Sequence, residues 1–389
     1  MNDAFPQGDM LVTNARVVTT DDMFRGSVLV EHGQIQVVEH GRTSYRAADN
    51  WEGDYLIPGL IELHTDNLEK HLIPRPGVDW PMMSALLAHD AQLAASGITT
   101  VLDALGLGDL DACNLRTRTL KPFTEALVIA RADKLLRAEH LLHLRCEIAV
   151  SNAAALFEPF ADDPVLRTLV RLVSVMDHTP GQRQWTDLGK YRRYTERHGA
   201  LSDDDFRRLI EERLGLQRDN SQRNRRELVA RCQALDITLA SHDDTLAEHV
   251  EEAIAEGIAI SEFPTTLPAA GLARRHGMGI VMGAPNVVRG GSHSGNVSAL
   301  DLAREGLLDG LSSDYVPASL LHAAFLLKEQ AGWSLPQAIA TVTANPAKMV
   351  RLDDRGEVSP GKRADLVRVR ELGGTPVVMG AWREGVRIL

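Results

Sequence analysis

Eight short apolar runs, separated by polar or helical sequence, constrain the fold of this 389-residue chain more than any other feature. They lie at 56–64, 98–104, 143–150, 172–178, 236–242, 257–263, 279–285 and 307–314. Helical patterns, for example at 81–96, 245–257 and 316–330, fall between most of them. This alternation is typical of repeated βα units and a parallel sheet. Eight units predict an α/β fold with a closed (β/α)8 TIM-like barrel, and an open doubly wound sheet is the alternative.

Segments at both chain ends alternate apolar and polar residues with glycines at the turns, as β-strands do. We expect residues 1–55 and 353–389 to pair into one small composite β-sandwich beside a barrel of residues 56–352. An insertion at about 179–235 interrupts the barrel; it is rich in arginine and has a helical pattern from Asp203. The insertion is either a charged, solvated helical hairpin or an anion-binding lid.

Composition and charge limit the partners and the location. The formal net charge of −11 disfavours binding to nucleic acid or to anionic membranes. Three cysteines are too few and too scattered for a disulfide framework, which indicates a reducing compartment. The N-terminal sequence lacks a secretory signal pattern, and no apolar run approaches ~18 residues. We predict a cytoplasmic protein without a nucleic-acid or membrane partner.

Imidazole and carboxylate side chains recur at the C-terminal ends of the predicted strands, where barrel enzymes carry their reactive groups. These residues are His64, Asp66, Glu147, Asp177, His178, His242, Asp243 and Asp314. His64 and Asp66 lie two residues apart in a strand, so their side chains point to the same face. Imidazoles and carboxylates are the ligands of borderline divalent metals. The set suffices for two cations, which lower the pKa of shared water toward ~7.

Each of these residues also has a simpler interpretation. A strand-end histidine is often a hydrogen-bonded structural residue, and Asp314 is a candidate N-cap for the helix near Val316. The joint occurrence at so many strand ends favours a metal site. Other histidines are interpreted as structural, with two of them placed near the start of the third strand: His89, His322, His276, His140 and His143.

Basic and polar residues near the predicted barrel mouth are candidates for phosphate binding, and we call this set the basic rim. The basic rim comprises Lys70, His71 and Arg75 after the first strand, Arg183, Lys190, Arg192 and Arg193 in the insertion, and Arg289, Ser292 and His293 after the seventh strand. Loops after the seventh and eighth strands often bind phosphate in such barrels. A plain flexible loop explains the glycine-rich segment at 289–296 equally well.

Longer motifs resemble a known family. LIPGLIELHTD (56–66), the strand-end histidines, Asp314 and TANPAKMVRLDDRGEVSPGKRADLV (343–367) resemble the amidohydrolase superfamily over essentially the whole chain. Within it, five stretches resemble the diphosphatases of phosphonate metabolism: HTDNLEKHLIPRPGVDWP (64–81), LHLRCE (142–147), MDHTPGQRQ (176–184), ASHDD (240–244) and SSDYVPASLL (312–321).

The resemblance implies a metal-dependent enzyme that hydrolyses alpha-D-ribose 1-methylphosphonate 5-triphosphate, a small phosphorylated sugar phosphonate, to the 5-phosphate and pyrophosphate. It implies two divalent cations, zinc before manganese or iron, held by His64, Asp66, Glu147, His178, His242 and Asp314. Glu147 takes the place of the bridging carboxylate, and Asp66 replaces the second histidine of the superfamily's His-x-His pair. Asp314 is the expected catalytic proton acceptor, and a homodimer is a superfamily expectation.

Two other functions compete with this interpretation. An amidohydrolase that opens a cyclic amide or removes an acyl group from nitrogen would use the same ligands, but an uncharged amide does not need the arginine-rich insertion. A non-catalytic scaffold of the same superfamily would usually have lost several metal ligands, whereas here one stands at each expected strand end.

Overall fold

The computed structural model of the protein describes residues 8–45, 47–110, 115–196, 199–292 and 295–389. Within these ranges the strands are β1 (Met10–Val18), β2 (Met23–Glu31), β3 (Gln34–His40), β4 (Asp49–Asn50), β5 (Tyr55–Pro58), β6 (Leu60–Thr65), β7 (Ile98–Leu107), β8 (Glu139–Glu147), β9 (Val170–Met176), β10 (Thr238–His242), β11 (Ile260–Glu262), β12 (Gly279–Gly283), β13 (Gly310–Ser312), β14 (Leu366–Leu372), β15 (Thr375–Arg383) and β16 (Val386–Arg387). They form two separate sheets.

The helices of the same ranges are α1 (Leu68–Leu72), α2 (Met82–Ala95), α3 (Leu115–Ala132), α4 (Ala153–Asp162), α5 (Pro164–Leu169), α6 (Leu188–Thr195), α7 (Asp203–Ala234), α8 (Ala247–Ala255), α9 (Leu267–Arg275), α10 (Ala284–Arg289), α11 (Ala299–Arg304), α12 (Ser319–Gln330), α13 (Leu335–Ala340) and α14 (Ala344–Met349). A short 3₁₀ helix (Arg183–Trp185) precedes α6. In the described part of the chain, no helix has the length and apolarity needed to cross a membrane.

Strands β6 to β13 are parallel neighbours in chain order, which is the arrangement of a (β/α)8 barrel. The barrel closes between β6 and β13, where Thr65 bridges to Asp314. The Glu62 carboxylate strengthens this closure, because it accepts the backbone N–H of His64 (2.8 Å) from its own strand and that of Ser313 (2.7 Å) from the opposite side. The predicted α/β barrel is therefore confirmed.

Apolar side chains fill the barrel in layers, as small barrels require. Ile61, Leu102 and Leu172 belong to a buried cluster that also contains Ala347 and Val350 from α14 and the residue after it. Helix α14 thus plugs the end of the barrel opposite the C-terminal ends of the strands. A larger cluster fills the layer between the strands and the surrounding helices.

All eight predicted strands have different bounds in the structure, and two of these differences change how the sequence is interpreted. The run at 56–64 divides at Gly59 into β5, which belongs to the terminal sheet, and β6, which opens the barrel. Glycine is required there because a Cβ would lie 2.2 Å from the Thr99 hydroxyl oxygen of the adjacent β7. The third barrel strand begins at Glu139 instead of 143, so His143 lies in mid-strand and not at its start as predicted.

The second sheet is mixed and joins both chain ends. Its order is β16-β15-β14-β5-β1-β2-β3, with β4 paired to β1. Trp51 stacks on Trp382 at 5.2 Å between ring centroids, and the buried Asp54 carboxylate accepts hydrogen bonds from Arg368 (2.6 Å) and Arg370 (2.8 Å). These contacts tie residues near position 50 to the C-terminal strands.

The insertion after β9 consists of the 3₁₀ helix, α6 and the 32-residue α7. The predicted helical pattern from Asp203 lies in α7. Ser202 caps α7 through its side chain, and three aspartates in the first turn complement the positive end of the helix dipole. The buried Arg183 guanidinium forms ion pairs with Asp244 and Glu252 and so fastens the start of the insertion to the barrel.

A buried polar network links α2 to the barrel. Asp103 accepts hydrogen bonds from His89 (2.9 Å) and His140 (2.7 Å), and the other ring nitrogen of His140 lies 3.4 Å from Asp90. Burial would lower the pKa of His140, but the carboxylates of Asp103 and Asp90 raise it to about 9. The buried ring is therefore an imidazolium held between two carboxylates at neutral pH.

We expect this network to make stability depend on alkaline pH. The pKa of His140 in the folded protein, about 9, exceeds the ordinary histidine value of 6.5, so its contribution to stability is complete below pH 6.5 and is lost as the pH rises through 9. The free energy of unfolding should fall by ~3 kcal/mol between pH 6.5 and 9.5. Denaturant titration should give a smaller loss for His140→Gln than for the wild-type chain. His276→Gln, at an exposed helix end, should keep the wild-type slope; equal slopes in all three proteins would contradict the assignment.

Candidate active site

One cavity of about 610 Å³ opens at the C-terminal ends of the barrel strands. All six residues predicted as metal ligands line it: His64, Asp66, Glu147, His178, His242 and Asp314. Residues that lie up to 250 positions apart in the sequence thus meet at one mouth. The connections between the strands position them, because in a parallel barrel every strand ends on the same side.

The first group of candidate ligands is at the barrel closure. His64, Asp66 and Asp314 each offer a ligand atom, and these atoms lie within 4.8 Å of one another. His64 is buried in β6, and Asp314 follows β13 with a left-handed backbone (φ 54°). Such a conformation is strained for a residue with a Cβ, and strained residues tend to cluster at active sites. The N-cap alternative for Asp314 does not hold, since α12 begins at Ser319 with Ala318 as its cap.

The second group comprises His178, His242 and Asp243, again with ligand atoms within 4.8 Å of one another. Asp243 has a left-handed backbone (φ 57°), and its Oδ2 lies 3.4 Å from His242 Nε2 and 3.8 Å from His178 Nε2. This buried oxygen has no hydrogen-bond partner among the described residues. The sequence analysis noted Asp243 at its strand end but did not include it among the ligands.

Glu262, at the end of β11, connects the two groups and was missed by the sequence analysis. Its two carboxylate oxygens lie 2.7 Å from His64 Nδ1 and 2.6 Å from His242 Nδ1. Burial would raise the pKa of Glu262, but the neighbouring imidazoles hold it well below its ordinary value. The ionised carboxylate therefore accepts Nδ1–H from both rings, and in the neutral form of each ring Nε2 then carries the lone pair.

Glu147 has a similar relation to His178. One Glu147 oxygen lies 2.7 Å from His178 Nδ1, and the other accepts the backbone N–H of His178 at 3.2 Å. In this arrangement Glu147 orients an imidazole, and among the described residues it belongs to neither ligand group. The predicted bridging position thus differs from the contacts that Glu147 makes here.

The donor set fits a divalent cation. Three imidazoles each present Nδ1 to a carboxylate, which is the arrangement that fixes the tautomer of metal-binding histidines. The unpartnered Asp243 Oδ2 faces the Nε2 atoms of His178 and His242, which carry the lone pair in this tautomer of the neutral rings. A cation between them would satisfy the oxygen and both nitrogens together.

His143 lies directly below this centre. Its ring is 5.1 Å from that of His64, and its Nε2 lies 2.6 Å from the Ser174 hydroxyl, which also contacts Glu262. Burial lowers the pKa of His143 to about 3, so the ring is neutral. His143 therefore packs beneath the site as a neutral hydrogen-bonding residue.

A buried arginine also belongs to the floor of the cavity. Arg145 Nη1 lies 3.0 Å from each carboxylate oxygen of Asp66. Burial would raise the pKa of Asp66, but the charges of Arg145 and His64 hold it below its ordinary value. Arg145 stands in the stretch LHLRCE that the sequence analysis singled out, yet its pairing with Asp66 depends on the barrel geometry.

The basic rim is only partly at the cavity. Arg289 and Ser292 line it, and Lys70 contacts the backbone oxygen of the cavity residue Tyr315. Lys190 Nζ approaches Gly295 in the loop after β12. The remaining described members do not line the cavity. Arg75 and Arg193 are exposed. The other three have partners elsewhere: His71 contacts Gln92, Arg183 pairs with Asp244, and Arg192 pairs with Glu196 and Asp203. His293 lies outside the described residues.

The insertion contributes an aromatic wall instead of a cationic one. Trp185, Tyr191 and Tyr194 line the cavity beside Gln184. The Trp185 and Tyr194 rings lie 4.7 Å apart, centroid to centroid. The arginines of this segment were predicted to lie at the barrel mouth, and a role for its aromatic residues was not predicted. The two tyrosines that flank the arginines in YRRY (191–194) were visible in the sequence.

A barrel whose strand-end histidines and carboxylates converge on one cavity has the architecture of a barrel enzyme with a candidate metal centre. A family model described as "Amidohydrolase family" matches residues 192–372. The chain is 46% identical over 381 residues to an alpha-D-ribose 1-methylphosphonate 5-triphosphate diphosphatase of Escherichia coli, with 97% of this chain and 100% of the relative covered. The chain belongs to the amidohydrolase family, as its sequence motifs predicted.

More distant relatives share the fold. A dihydroorotase of Methanopyrus kandleri is 37% identical over 103 residues, which are 22% of this chain and 24% of that protein. The structure of 5-methylcytosine deaminase from Klebsiella pneumoniae superposes with a TM-score of 0.62 at 14% identity, covering 98% of both chains. N-isopropylammelide isopropylaminohydrolase from Burkholderia multivorans gives 0.61 at 17% identity, covering 97% of both chains. These structures support the barrel with its attached sheet.

The shared contact of Glu262 with two histidines generates a prediction. Glu262→Gln replaces one acceptor oxygen by an amide N–H, which disfavours the tautomer that leaves Nε2 free on one ring. We expect affinity for zinc, measured by competition with a chromogenic chelator, to fall by about 10–100-fold. Glu139→Gln is the matched control, because Glu139 is a partly buried carboxylate at the opposite end of the barrel. Unchanged zinc affinity in Glu262→Gln would contradict the orienting role.

Proposed function

We propose that this protein hydrolyses alpha-D-ribose 1-methylphosphonate 5-triphosphate to alpha-D-ribose 1-methylphosphonate 5-phosphate and pyrophosphate in phosphonate catabolism. The observation that carries the proposal is the 46% identity to the diphosphatase of that name over 97% of this chain. The convergence of the ligand groups on one cavity supports it, because a metal-dependent hydrolysis needs such side chains beside the bound substrate.

We assign the first group (His64, Asp66 and Asp314) and the second group (His178, His242 and Asp243) as the side chains that would hold two zinc ions, with manganese or iron as alternatives. When bound, such cations lower the pKa of water and offset negative charge on phosphate oxygens. Glu262 and Glu147 would orient the imidazoles through Nδ1. Glu147, predicted as a bridging ligand, is thereby given an orienting role.

Asp314 is the proposed proton acceptor. Its carboxyl lies at the barrel closure beside His64 and Asp66, and burial raises the pKa of Asp314. A carboxylate of raised basicity accepts the proton of the attacking water more readily. The same group can then return that proton to the leaving oxygen as the anhydride bond breaks, which preserves the proton balance of the hydrolysis.

The cavity lining is rich in carboxylates, so an anionic substrate can bind there only beside arginines that offset their negative charge. Arg116, Arg145 and Arg289 line the cavity together with the acidic residues. The wall of Trp185, Tyr191 and Tyr194 would limit access of bulk water on the side of the insertion. A substrate without charge would gain nothing from these arginines, which is why we favour phosphate-anhydride hydrolysis over hydrolysis of a C–N bond.

We further propose a cytoplasmic location and no nucleic-acid or membrane partner. Cys146 and Cys232 are buried free thiols, as a reducing compartment permits. The net charge of −11 opposes binding to polyanions outside a local basic site. A homodimer stays a prediction, and sedimentation analysis would test it.

The proposed reaction is tested by assaying pyrophosphate release from the sugar-phosphonate triphosphate and, in parallel, hydrolysis of N-acyl amino acids. We expect release of pyrophosphate by the wild-type chain and a fall in kcat of about 10³-fold for Asp314→Asn, because the proton acceptor is lost. Asp301→Asn, an exposed aspartate on α11, is the control. Hydrolysis of N-acyl amino acids without pyrophosphate release would favour the C–N alternative.

Metal removal gives an independent check. Dialysis against a chelator should abolish pyrophosphate release, and added zinc should restore it with two equivalents bound per chain, measured by elemental analysis. Circular dichroism should show that the barrel stays folded, since its core is apolar and does not depend on the ligand groups. Full activity in a preparation free of metal would refute the assignment.

A further inference from the structure

The cavity contains three arginines, and they differ in what they are already bound to. The Arg145 guanidinium is buried and committed to both oxygens of Asp66. Arg289, the last residue of α10, is exposed, and no ion pair or hydrogen bond from a described residue engages its side chain. Arg116, in the first turn of α3, is half-buried, and no ion pair or hydrogen bond from a described residue engages its guanidinium.

The backbone and the stem of Arg116 are nevertheless fixed. The Asp109 side chain accepts the backbone N–H groups of Arg116 (3.2 Å) and Thr117 (2.8 Å), which anchors the start of α3. The aliphatic stem of Arg116 lies across β7 at Gly106, where a Cβ would be only 2.3 Å from Arg116 Cδ. Because Gly106 has no side chain, the surface of β7 has room at this position for the stem of Arg116.

The charge of Arg116 acts on the acidic side of the cavity. The guanidinium of Arg116 lines the cavity together with the carboxylate of Asp66. Glu69 and Asp109 line the same wall. These carboxylates repel a polyphosphate that approaches the ligand groups. Binding there therefore needs a cationic side chain that does not already form an ion pair with a neighbouring carboxylate.

We propose that Arg116 is a phosphate-binding arginine of the site, half-buried and held over Gly106 so that its guanidinium donates to phosphate oxygens of the bound triphosphate. This inference rests on the proposed function, which supplies the triphosphate. A guanidinium presents paired N–H donors that match phosphate oxygens, which a lysine ammonium at the same place does not reproduce. Arg116 thereby determines specificity for an anionic substrate.

Two kinds of variant test the proposal. Arg116→Met removes the guanidinium, and Gly106→Ala keeps it but displaces the stem from β7. The matched controls are Arg118→Met, an exposed arginine two residues further along α3 that pairs with Asp79, and Gly215→Ala, where an added Cβ meets open space. Each protein is first checked for thermal unfolding and for bound metal, so that losses of fold or of metal are recognised.

We expect kcat/KM for the triphosphate to fall about 100-fold in Arg116→Met and by a smaller factor in Arg116→Lys. The inhibition constant of pyrophosphate should rise at least tenfold in both Arg116→Met and Gly106→Ala at unchanged metal content. Both controls should behave as wild type. Wild-type kcat/KM and pyrophosphate inhibition in Arg116→Met would overturn the inference. If the wild-type chain itself does not hydrolyse the triphosphate, the proposed function fails, and calorimetric titration of pyrophosphate into the same variants still decides whether Arg116 binds phosphate.

Discussion

A single buried carboxylate, Glu262, sets the geometry of the candidate metal centre, because both of its oxygens face imidazoles from different strands. Its negative charge would be costly inside a barrel without the His64 and His242 rings, each within 2.7 Å. Conversely, the rings could rotate or change tautomer if the carboxylate were absent. The hydrogen bonds between Glu262 and the two histidines therefore have two effects. They stabilise the buried carboxylate, and they leave Nε2 of both histidines available on the cavity side.

The closure of the barrel supplies the other half of the site. The Thr65–Asp314 bridge and the hydrogen bond from the Ser313 N–H to the Glu62 carboxylate join the first and last strands of the barrel. These contacts are what place Asp314 beside His64 and Asp66. Since the closure residues and the ligand residues alternate along the same short segments, a change that loosens the seam also separates the first ligand group. The backbone segments that close the barrel therefore also hold the residues of the first ligand group in place.

The sequence predicted the barrel and the convergence of its strand ends because both follow from local patterns: short apolar runs, helices between them, and polar residues where each run stops. It could not predict contacts that depend on which strand lies beside which. Glu262 lies at the end of the sixth run and looked like any polar strand terminus, and the contact of Glu147 with His178 is not visible in the sequence either. Counting charges likewise indicated a basic rim, but an ion pair between Arg183 and Asp244 is visible only once the insertion is packed on the barrel.

The packing of the insertion explains why its charge was a poor guide to its role. Arg183 forms an ion pair with Asp244 that attaches the 3₁₀ helix to the barrel. This attachment places Gln184 and Trp185 at the cavity. On the other side, the side-chain amide of Asn224 in α7 donates to the carbonyl groups of Ile148 (2.9 Å) and Val150 (2.7 Å), in the loop that follows Glu147. Buried carbonyl groups in a loop need such donors. The arginine-rich segment thus acts mainly as a scaffold that completes one wall of the cavity and supports the turn after the third barrel strand, while the cations that face the cavity come mostly from the βα connections of the barrel itself.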